Sequence, residues 1–280
     1  MQLELAKIHG CHNDYLFVDC TRASLENPGE LSRRLSPRRG GIGADGLILV
    51  CPSEKADFRM EMYNADGSRG AMCGNGIRGL AKFVYERGLV GTSNSLLVET
   101  DCGNKALELH VTDGKVGSVT VDMGPPVLEG RQVPVNADGE QFDVPLLVDG
   151  RSWTVSCVSM GNPHCVTFDE DPEGLDLERI GPAFDSHEFF PSGVNTEFVR
   201  VDNRGQLTMR VWERGSGETA ACGTGACAVV VAAHRTGRCD SNATVVLNGG
   251  QLYIELRGDG RVFMTGPVEE SFRGTVSVPG

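Results

Sequence analysis

Residues 73–76 of the chain read Cys-Gly-Asn-Gly, and residues 222–225 read Cys-Gly-Thr-Gly. Each segment opens a stretch in which apolar residues recur at helical spacing, which predicts helices over Gly74–Arg87 and Gly223–Arg235. The two cysteines lie 149 positions apart. A segment that recurs at a fixed offset, together with other residues at the same offset, indicates an internal repeat.

Three more pairs of residues recur at this offset: Gly88 and Gly237, Asn13 and Asn162, and Asn64 and Glu213. The glycines stand where the two predicted helices should end, because glycine is the preferred residue just beyond a helix C-terminus. Asn64 and Glu213 each end a strand-like segment nine residues before a cysteine. We therefore predict a duplicated domain, with two copies facing each other across a cleft.

Short segments of strand-like character dominate the chain, and turn residues separate them at short intervals. Only two further segments, Glu30–Leu35 and Leu175–Asp185, have helical spacing. This pattern is typical of an α+β fold and not of a regular alternation of strands and helices.

A rigid Gly-Pro-Pro turn follows residue 123 and predicts the boundary between the two copies. The N-terminal half, residues 1–123, carries Cys73, and we expect residues 267–280 to join it. The C-terminal half, residues 124–266, carries Cys222.

The composition restricts the class of protein. The 280 residues include 26 Lys and Arg and 38 Asp and Glu, a net charge of −12, which argues against a nucleic-acid or anionic-membrane surface. We see no secretory signal and no apolar run long enough to span a bilayer, and therefore expect a cytoplasmic protein. Ten cysteines without any Cys-x-x-Cys pair predict free thiols and no metal site.

The position of the two repeated cysteines predicts their chemistry. The N–H groups of a helix's first turn are unpaired and partly positive, so a thiolate there is stabilised and its pKa is expected to fall. The adjoining glycines let a carboxylate approach the same N–H groups. Two facing copies place one thiol as base and one as acid on opposite sides of a carbon, which predicts racemisation or epimerisation. The other eight cysteines are expected to be small packing residues.

Dinucleotide binding is an open alternative, because Gly74, Gly76 and Gly79 fit the spacing of a glycine-rich fingerprint at a helix start. That fingerprint needs a tight turn between strand and helix. Here a nine-residue polar loop precedes Cys73.

Four segments carry a resemblance to a known family. Residues 64–76 (NADGSRGAMCGNG) and 213–225 (ERGSGETAACGTG) are similar to the two signature segments of the diaminopimelate epimerases, and residues 159–164 (SMGNPH) and 193–195 (GVN) resemble further motifs. That family interconverts L,L- and meso-diaminopimelate without pyridoxal phosphate or metal, in lysine and peptidoglycan precursor synthesis. The resemblance implies two pseudo-symmetric halves, each a mainly antiparallel sheet wrapped around a central helix, a homodimer, and no cofactor.

The same resemblance implies roles for individual residues. Cys73 and Cys222 would be the acid/base pair. The carboxylate at the reacting centre would be held by Gly74, Asn75, Gly223 and Thr224. The rest of the small-molecule substrate would be bound by Asn13, Asn64, Asn162, Asn195, Glu213 and Arg214. His164 and Glu213 would also tune the thiols, and Gly46 departs from the glutamine of some members.

Two related groups are alternatives within this fold. In proline racemases the first cysteine is typically followed by Gly-His, whereas here Gly74 and Asn75 follow it. A phenazine-type isomerase would normally lack one or both cysteines. The resemblance therefore favours diaminopimelate as the substrate.

Overall fold

The computed structural model describes residues 2–91 and 93–278. Residues 1, 92, 279 and 280 lie outside this set, so the predicted segments 1–123 and 267–280 are described only in part. The described residues contain four α-helices: α1 (Pro28–Leu35), α2 (Gly74–Glu86), α3 (Leu177–Asp185) and α4 (Gly223–Arg235). All four predicted helices are confirmed, with ends that differ by at most two residues.

Strands make up most of the remaining structure. In chain order they are β1 (Gln2–Gly10), β2 (Asn13–Asp19), β3 (Gly46–Cys51), β4 (Phe58–Asn64), β5 (Arg69–Gly70), β6 (Ser95–Thr100), β7 (Gly103–Thr112), β8 (Lys115–Gly124), β9 (Val144–Val148), β10 (Arg151–Ser159), β11 (Pro163–Thr167), β12 (Asn195–Asn203), β13 (Gln206–Glu213), β14 (Gly217–Thr219), β15 (Asn242–Leu247), β16 (Gly250–Leu256), β17 (Val262–Pro267) and β18 (Glu269–Ser277). Many strands with few helices confirm the α+β class. No helix of residues 2–91 and 93–278 is both long and apolar enough to cross a membrane.

The chain divides into two compact units. Unit 1 comprises the described residues up to Val121 and those from Thr265 onward, and unit 2 is Asp122–Met264. The chain passes from one unit to the other within β8 and again within β17.

In unit 1 a mostly antiparallel sheet surrounds α2. Strand β1 pairs with β18 and β2, β3 pairs with β4, and β6 pairs with β7, all antiparallel, while β2 and β3 are parallel. Every residue of α2 from Gly74 to Val84 is buried, and the helix packs against β1, β2, β3 and β7. A helix buried on all sides needs a sheet that curves around it, which is the arrangement that the family resemblance implied.

Unit 2 repeats this arrangement around α4. Strands β9, β10 and β11 are antiparallel, β11 and β12 are parallel, and β12 and β13 are antiparallel. Apolar side chains cover α4, which packs against β10, β11, β12, β15 and β16. Outside the helix, Trp153, Phe184 and Phe198 form a buried cluster with edge-to-face rings whose centroids lie 5.4–5.8 Å apart.

The strand register of the two units follows the 149-residue offset. Across the parallel pairs, Tyr15 lies opposite Gly46 in unit 1, and His164 lies opposite Asn195 in unit 2. The antiparallel pairs that follow have the same correspondence, with Leu47 opposite Tyr63 and Thr196 opposite Trp212. Because a slip of one residue would turn every side chain to the other face, a shared register places corresponding side chains on the same face in both units.

The two central helices also end in the same way. Gly88 and Gly237 have positive φ angles of 65° and 73° and lie two residues beyond the last residue of α2 and α4. One residue further on, a backbone N–H donates to the carbonyl five residues earlier, at 3.0 Å after α2 and 2.7 Å after α4. These bonds form a Schellman motif in each unit. The prediction that both helices stop at these glycines is confirmed.

Candidate active site

Each repeated cysteine caps the N-terminus of its central helix. Cys73 precedes α2 with an extended backbone (φ −131°, ψ 124°), and Cys222 precedes α4 with almost the same conformation (φ −121°, ψ 110°). In unit 2 the N–H of Gly225 donates to the Cys222 sulfur at 3.4 Å. Both sulfurs therefore lie at helix starts, as the sequence predicted.

The second glycine of each Cys-Gly-x-Gly segment allows the helix start to approach a strand closely. A Cβ atom at Gly76 would lie 2.6 Å from Cδ1 of Ile48 on β3. A Cβ atom at Gly225 would lie 2.6 Å from Oε1 of Glu197 on β12. Ile48 and Glu197 occupy corresponding positions of the repeat, so the same close approach brings an apolar side chain to one helix and a carboxylate to the other.

Polar side chains surround Cys73 in unit 1. The Cys73 thiol donates to Oδ1 of Asn13 at 3.2 Å, and Nδ2 of Asn75 donates to the same oxygen at 3.3 Å. The Asn13 amide nitrogen donates to Oδ2 of Asp45 at 2.8 Å. The structure thus brings together Cys73, Asn13 and Asn75, and adds Asp45, which the sequence did not single out.

Two further groups near Cys73 were also missed. Tyr15 is buried, Arg78 has no exposed surface, and both act to lower the pKa of the Cys73 thiol. Tyr15 stands at the position of the repeat that His164 occupies in unit 2. The offset that identified the cysteines could therefore have identified Tyr15, whereas the burial of Arg78 has no signature in the sequence.

Burial controls the acidity of Cys73. Desolvation raises the pKa of the Cys73 thiol above its ordinary value, although the N–H groups of Gly76 and Asn75, the Tyr15 hydroxyl and the charge of Arg78 all act to lower it. The N–H groups act in the direction that the sequence predicted. The expected net lowering of the pKa was wrong, because a buried anion loses more hydration than these donors restore.

A buried His–Glu pair lies near the second cysteine. Nδ1 of His164 and Oε1 of Glu197 are 2.6 Å apart, and neither side chain has any exposed surface. The other ring nitrogen, Nε2, lies 3.0 Å from Oδ1 of Asn162. The second oxygen of Glu197 is buried and has no hydrogen-bond partner among the described residues.

Two acidic side chains, Glu197 and Glu213, act on Cys222. Its sulfur lies 3.4 Å from the Thr224 hydroxyl. Burial raises the pKa of Cys222 well above its ordinary value, and the negative charges of Glu213 and Glu197 act in the same direction, against the hydrogen bonds from Thr224 and the Gly225 N–H. The lowered pKa that the sequence suggested is wrong for this thiol as well. The sequence analysis did not identify Glu197. The corresponding residue of the first copy is Ile48, which gives no indication of a functional carboxylate.

Several of the other predicted residues have local partners. Asn195 donates to the carbonyl of Pro163 at 2.8 Å, and its own Oδ1 accepts from the backbone N–H of Arg214 at 3.0 Å. The exposed guanidinium of Arg214 donates to the carbonyl of Ser192 at 2.8 Å. These bonds fix the start of β12 against the end of β13.

Asn64 and Glu213 occupy the last positions of β4 and β13, as predicted. Asn64 donates to the Ser68 hydroxyl at 3.0 Å, and Glu213 accepts a hydrogen bond from the Thr219 hydroxyl. Gly74 and Gly223 are the first residues of α2 and α4 and are buried.

Three side chains of unit 2 have the donor atoms of a metal site. Ligand atoms of His164, Glu197 and Cys222 all lie within 4.8 Å of one another. Cysteine, histidine and carboxylate ligands are those that zinc accepts. Both ring nitrogens of His164 are, however, within hydrogen-bond distance of Glu197 and Asn162, so the cluster is already a hydrogen-bonded network.

Position 46 has no room for a side chain. A Cβ atom at Gly46 would lie 2.2 Å from the carbonyl oxygen of Tyr63 and 3.2 Å from the ring of Tyr15. The glutamine that some family members carry there would need β3 and β4 to move apart.

Comparisons with known proteins agree with these observations. The diaminopimelate epimerase family model matches residues 5–129 and 156–270. The diaminopimelate epimerase of Acetivibrio thermocellus is 49% identical over 278 residues, 99% of each chain. That of Desulfitobacterium hafniense is 50% identical over 278 residues, 98% of each chain.

The chain belongs to the diaminopimelate epimerase family. Among solved structures, the Bacillus anthracis phenazine biosynthesis protein of the PhzF family superposes with a TM-score of 0.73 at 15% identity, over 99% of this chain and 100% of that one. At this identity the likeness concerns the fold alone, and it confirms the predicted class of two pseudo-symmetric halves.

Proposed function

We propose that this family member epimerises L,L-diaminopimelate to meso-diaminopimelate without a cofactor, in lysine and peptidoglycan precursor synthesis. The observation that carries the proposal is the equivalent placement of Cys73 and Cys222, each capping a buried helix at the same point of a repeated unit. Neither signature segment contains a lysine that could form a Schiff base. Proton transfer by the thiols is therefore the chemistry that these segments support.

In the proposed mechanism one cysteine is a thiolate and takes the proton from the α-carbon of the substrate. The other is a thiol and gives its proton to the opposite face of the same carbon, which inverts the configuration. Negative charge spreads from the carbon into the carboxylate during the transfer. The helix-start N–H groups at Gly74, Asn75, Gly223 and Thr224 would stabilise that charge, since they are fixed before the reaction begins.

Charged and amide side chains would hold the rest of the substrate. Diaminopimelate carries an amino-acid group at each end, so the group remote from the reaction needs both an anion and a cation partner. Arg214 suits its carboxylate and Glu213 its ammonium group. We assign the amides of Asn13, Asn64, Asn162 and Asn195 to hydrogen bonds with the same substrate.

The experiment that tests this proposal is an assay of the purified protein in deuterium oxide without added metal or pyridoxal phosphate. With L,L-diaminopimelate, the early product should carry deuterium at the inverted carbon, because the donor thiol has exchanged with solvent. Unreacted substrate should carry almost none, because the base thiol tends to return the proton that it removed.

A parallel assay with L-proline tests the alternative within the fold. Racemisation of proline in place of diaminopimelate epimerisation would contradict the proposal. Unlabelled early product would contradict the two-thiol mechanism while leaving the substrate assignment intact.

We also propose a cytoplasmic homodimer. All ten cysteines are free, and two thiols that must stay reduced need a reducing compartment.

Phe272 on β18 is 41% exposed, which suits burial against a second copy. Sedimentation of the purified protein tests the proposed dimer: a monomer at micromolar concentration would contradict it.

A further inference from the structure

Arg78 is a fully buried cation at the start of α2. It lies four residues after Gly74, and its side chain has no exposed surface. The guanidinium donates to the Gly74 carbonyl at 3.1 Å, to Oδ1 of Asn75 at 2.7 Å and to the Pro267 carbonyl at 3.3 Å. Burying a charge is costly unless acceptors replace the lost water, and these oxygens are part of that replacement.

The bond from Arg78 fixes the orientation of the Asn75 amide. Because the Asn75 oxygen accepts from the guanidinium, its nitrogen must face the other way, where it donates to Oδ1 of Asn13 at 3.3 Å. A flipped amide would place an NH2 group against the guanidinium and an oxygen against the Asn13 oxygen. Arg78 therefore selects one of the two possible orientations.

The Asn13 amide is fixed from its opposite side. Its nitrogen donates to Asp45 at 2.8 Å, so its oxygen faces Asn75 and Cys73. Two amides thus lie in series between a buried cation and a carboxylate. Each amide is therefore held in one orientation, and the Asn75 amide nitrogen faces the Asn13 oxygen that also accepts from Cys73.

Unit 2 has no counterpart of this arrangement. The position that corresponds to Arg78 is Cys227, which is buried and uncharged, and the position that corresponds to Asn75 is Thr224. A hydroxyl can rotate to suit its neighbours and needs no partner to orient it. The arrangement of Arg78, Asn75 and Asn13 is therefore present beside Cys73 and not beside Cys222.

We propose that Arg78 is a positioning residue for Cys73: it holds the Asn75 amide nitrogen toward the carboxylate at the reacting centre, and its buried charge favours the thiolate. The first part rests on the proposed function, since it needs an amino acid bound at this helix start. The second part concerns the free protein. A guanidinium is required because it can donate to several acceptors at fixed angles, which an ammonium group cannot do.

The test compares Arg78→Met and Arg78→Lys with a control in the other unit, Cys227→Ala. Alkylation of Cys73 by iodoacetamide is followed against pH by peptide mass mapping, without substrate. Loss of the positive charge in Arg78→Met should move the Cys73 profile to higher pH, because that charge lowers the pKa of the thiol. Arg78→Lys keeps the charge and should leave the profile near that of the unmodified protein, as should Cys227→Ala.

Steady-state kinetics with L,L-diaminopimelate test the positioning. Both Arg78 variants should raise KM about tenfold, because neither holds the Asn75 amide as the guanidinium does. If Arg78 acts through Asn75, adding Arg78→Lys to Asn75→Ala should change KM by less than twofold, since the amide that it orients is already gone. Cys227→Ala should leave KM unchanged.

Three outcomes would overturn the proposal. They are unchanged KM in both folded Arg78 variants, independent effects of Arg78→Lys and Asn75→Ala, and an unmoved alkylation profile in Arg78→Met. If Arg78→Met does not fold, the uncharged Arg78→Gln takes its place in the alkylation series. An unmodified protein that does not epimerise diaminopimelate would refute the proposed function, and the substrate-free alkylation series would still decide the role of Arg78.

Discussion

The two helix starts share a backbone and differ in charge. Cys73 lies close to a buried arginine and a buried tyrosine, both of which favour its thiolate. Cys222 lies close to Glu197 and Glu213, which disfavour its thiolate. Burial raises the pKa of both thiols, so the sign of the neighbouring charges is what distinguishes the two sites.

The comparison explains how a repeated domain can perform a reaction that needs unlike partners. Epimerisation with two thiols needs one of them charged and the other protonated before substrate binds. Two identical surroundings would give both thiols the same affinity for a proton. In the proposed mechanism we therefore expect Cys73 to ionise more readily than Cys222, with the roles of base and acid exchanged in the reverse reaction.

The largest expected effect comes from removing either thiol. Cys73→Ala and Cys222→Ala should each reduce kcat for epimerisation by at least about 10² to 10⁴, because inversion needs a proton-transfer group on both faces. The measurement is conversion of L,L-diaminopimelate to the meso isomer by chiral chromatography. Cys102→Ala, at an exposed cysteine, is the control and should retain full activity. Near-normal turnover in Cys222→Ala would refute the assignment of two thiols.

Glu197→Gln tests the acidic surroundings of Cys222. The negative charge of Glu197 raises the pKa of Cys222, so the amide should lower that pKa and move the Cys222 alkylation profile to lower pH. Because the two thiols would then differ less in acidity, we expect kcat for epimerisation to fall. Ile48→Val changes the corresponding position of unit 1 and serves as the control. If Glu197→Gln kept full activity and left the Cys222 alkylation profile in place, the charge difference would have no catalytic role.

The order in which the thiols react with iodoacetamide measures the same difference in the unmodified protein. Alkylation needs the thiolate, and burial raises both pKa values, while the neighbouring charges favour the thiolate at Cys73 and disfavour it at Cys222. As pH increases, the reactivity of Cys73 should therefore rise first and that of Cys222 later. Exposure affects the absolute rates, so the pH of half-maximal rate at each site is the quantity to compare. Coincident profiles would contradict the proposed asymmetry.

The smallest effects concern the glycines that let strands approach the helices. Gly76→Ala should destabilise the protein by about 1–3 kcal/mol, because the new Cβ would overlap the Ile48 side chain. Adding Ile48→Val removes that methyl group and should recover part of the loss in thermal unfolding. Gly225→Ala meets the Glu197 carboxylate and should also shift the Cys222 alkylation profile. If Gly76→Ala and Gly225→Ala shifted the alkylation profiles of Cys73 and Cys222 equally, the contact with Ile48 and the contact with Glu197 would not differ in their electrostatic effect.

The repeat explains how much could be predicted from the sequence. The offset of 149 located both cysteines, both helices and the glycines that end them, because each of these depends on local sequence. Strands β7 and β18 have a weak signal in the sequence, since they are largely exposed and depend on pairing with β6, β8 and β1 more than on an apolar face.

The acidity of the thiols could not be read from sequence in the same way. Helix-start N–H groups are visible in a Cys-Gly-x-Gly pattern, but the burial that outweighs them depends on residues distant in the chain. Tyr15 and Glu197 were missed for a different reason: each has a repeat partner, His164 and Ile48, of another residue type. At these two positions the repeat offset identifies the functional residues, whereas a search for identical residue types does not.

The matched ends of α2 and α4 bear on the origin of this asymmetry. Both helices have thirteen residues and end in a Schellman motif made by backbone atoms and a glycine, so their length does not depend on the side chains between. After duplication of the domain, residues within each helix could be substituted while the helix kept its length. Arginine at position 78 of one copy and cysteine at position 227 of the other fit the same scaffold, and in the proposed mechanism that scaffold supplies a proton acceptor in one unit and a proton donor in the other.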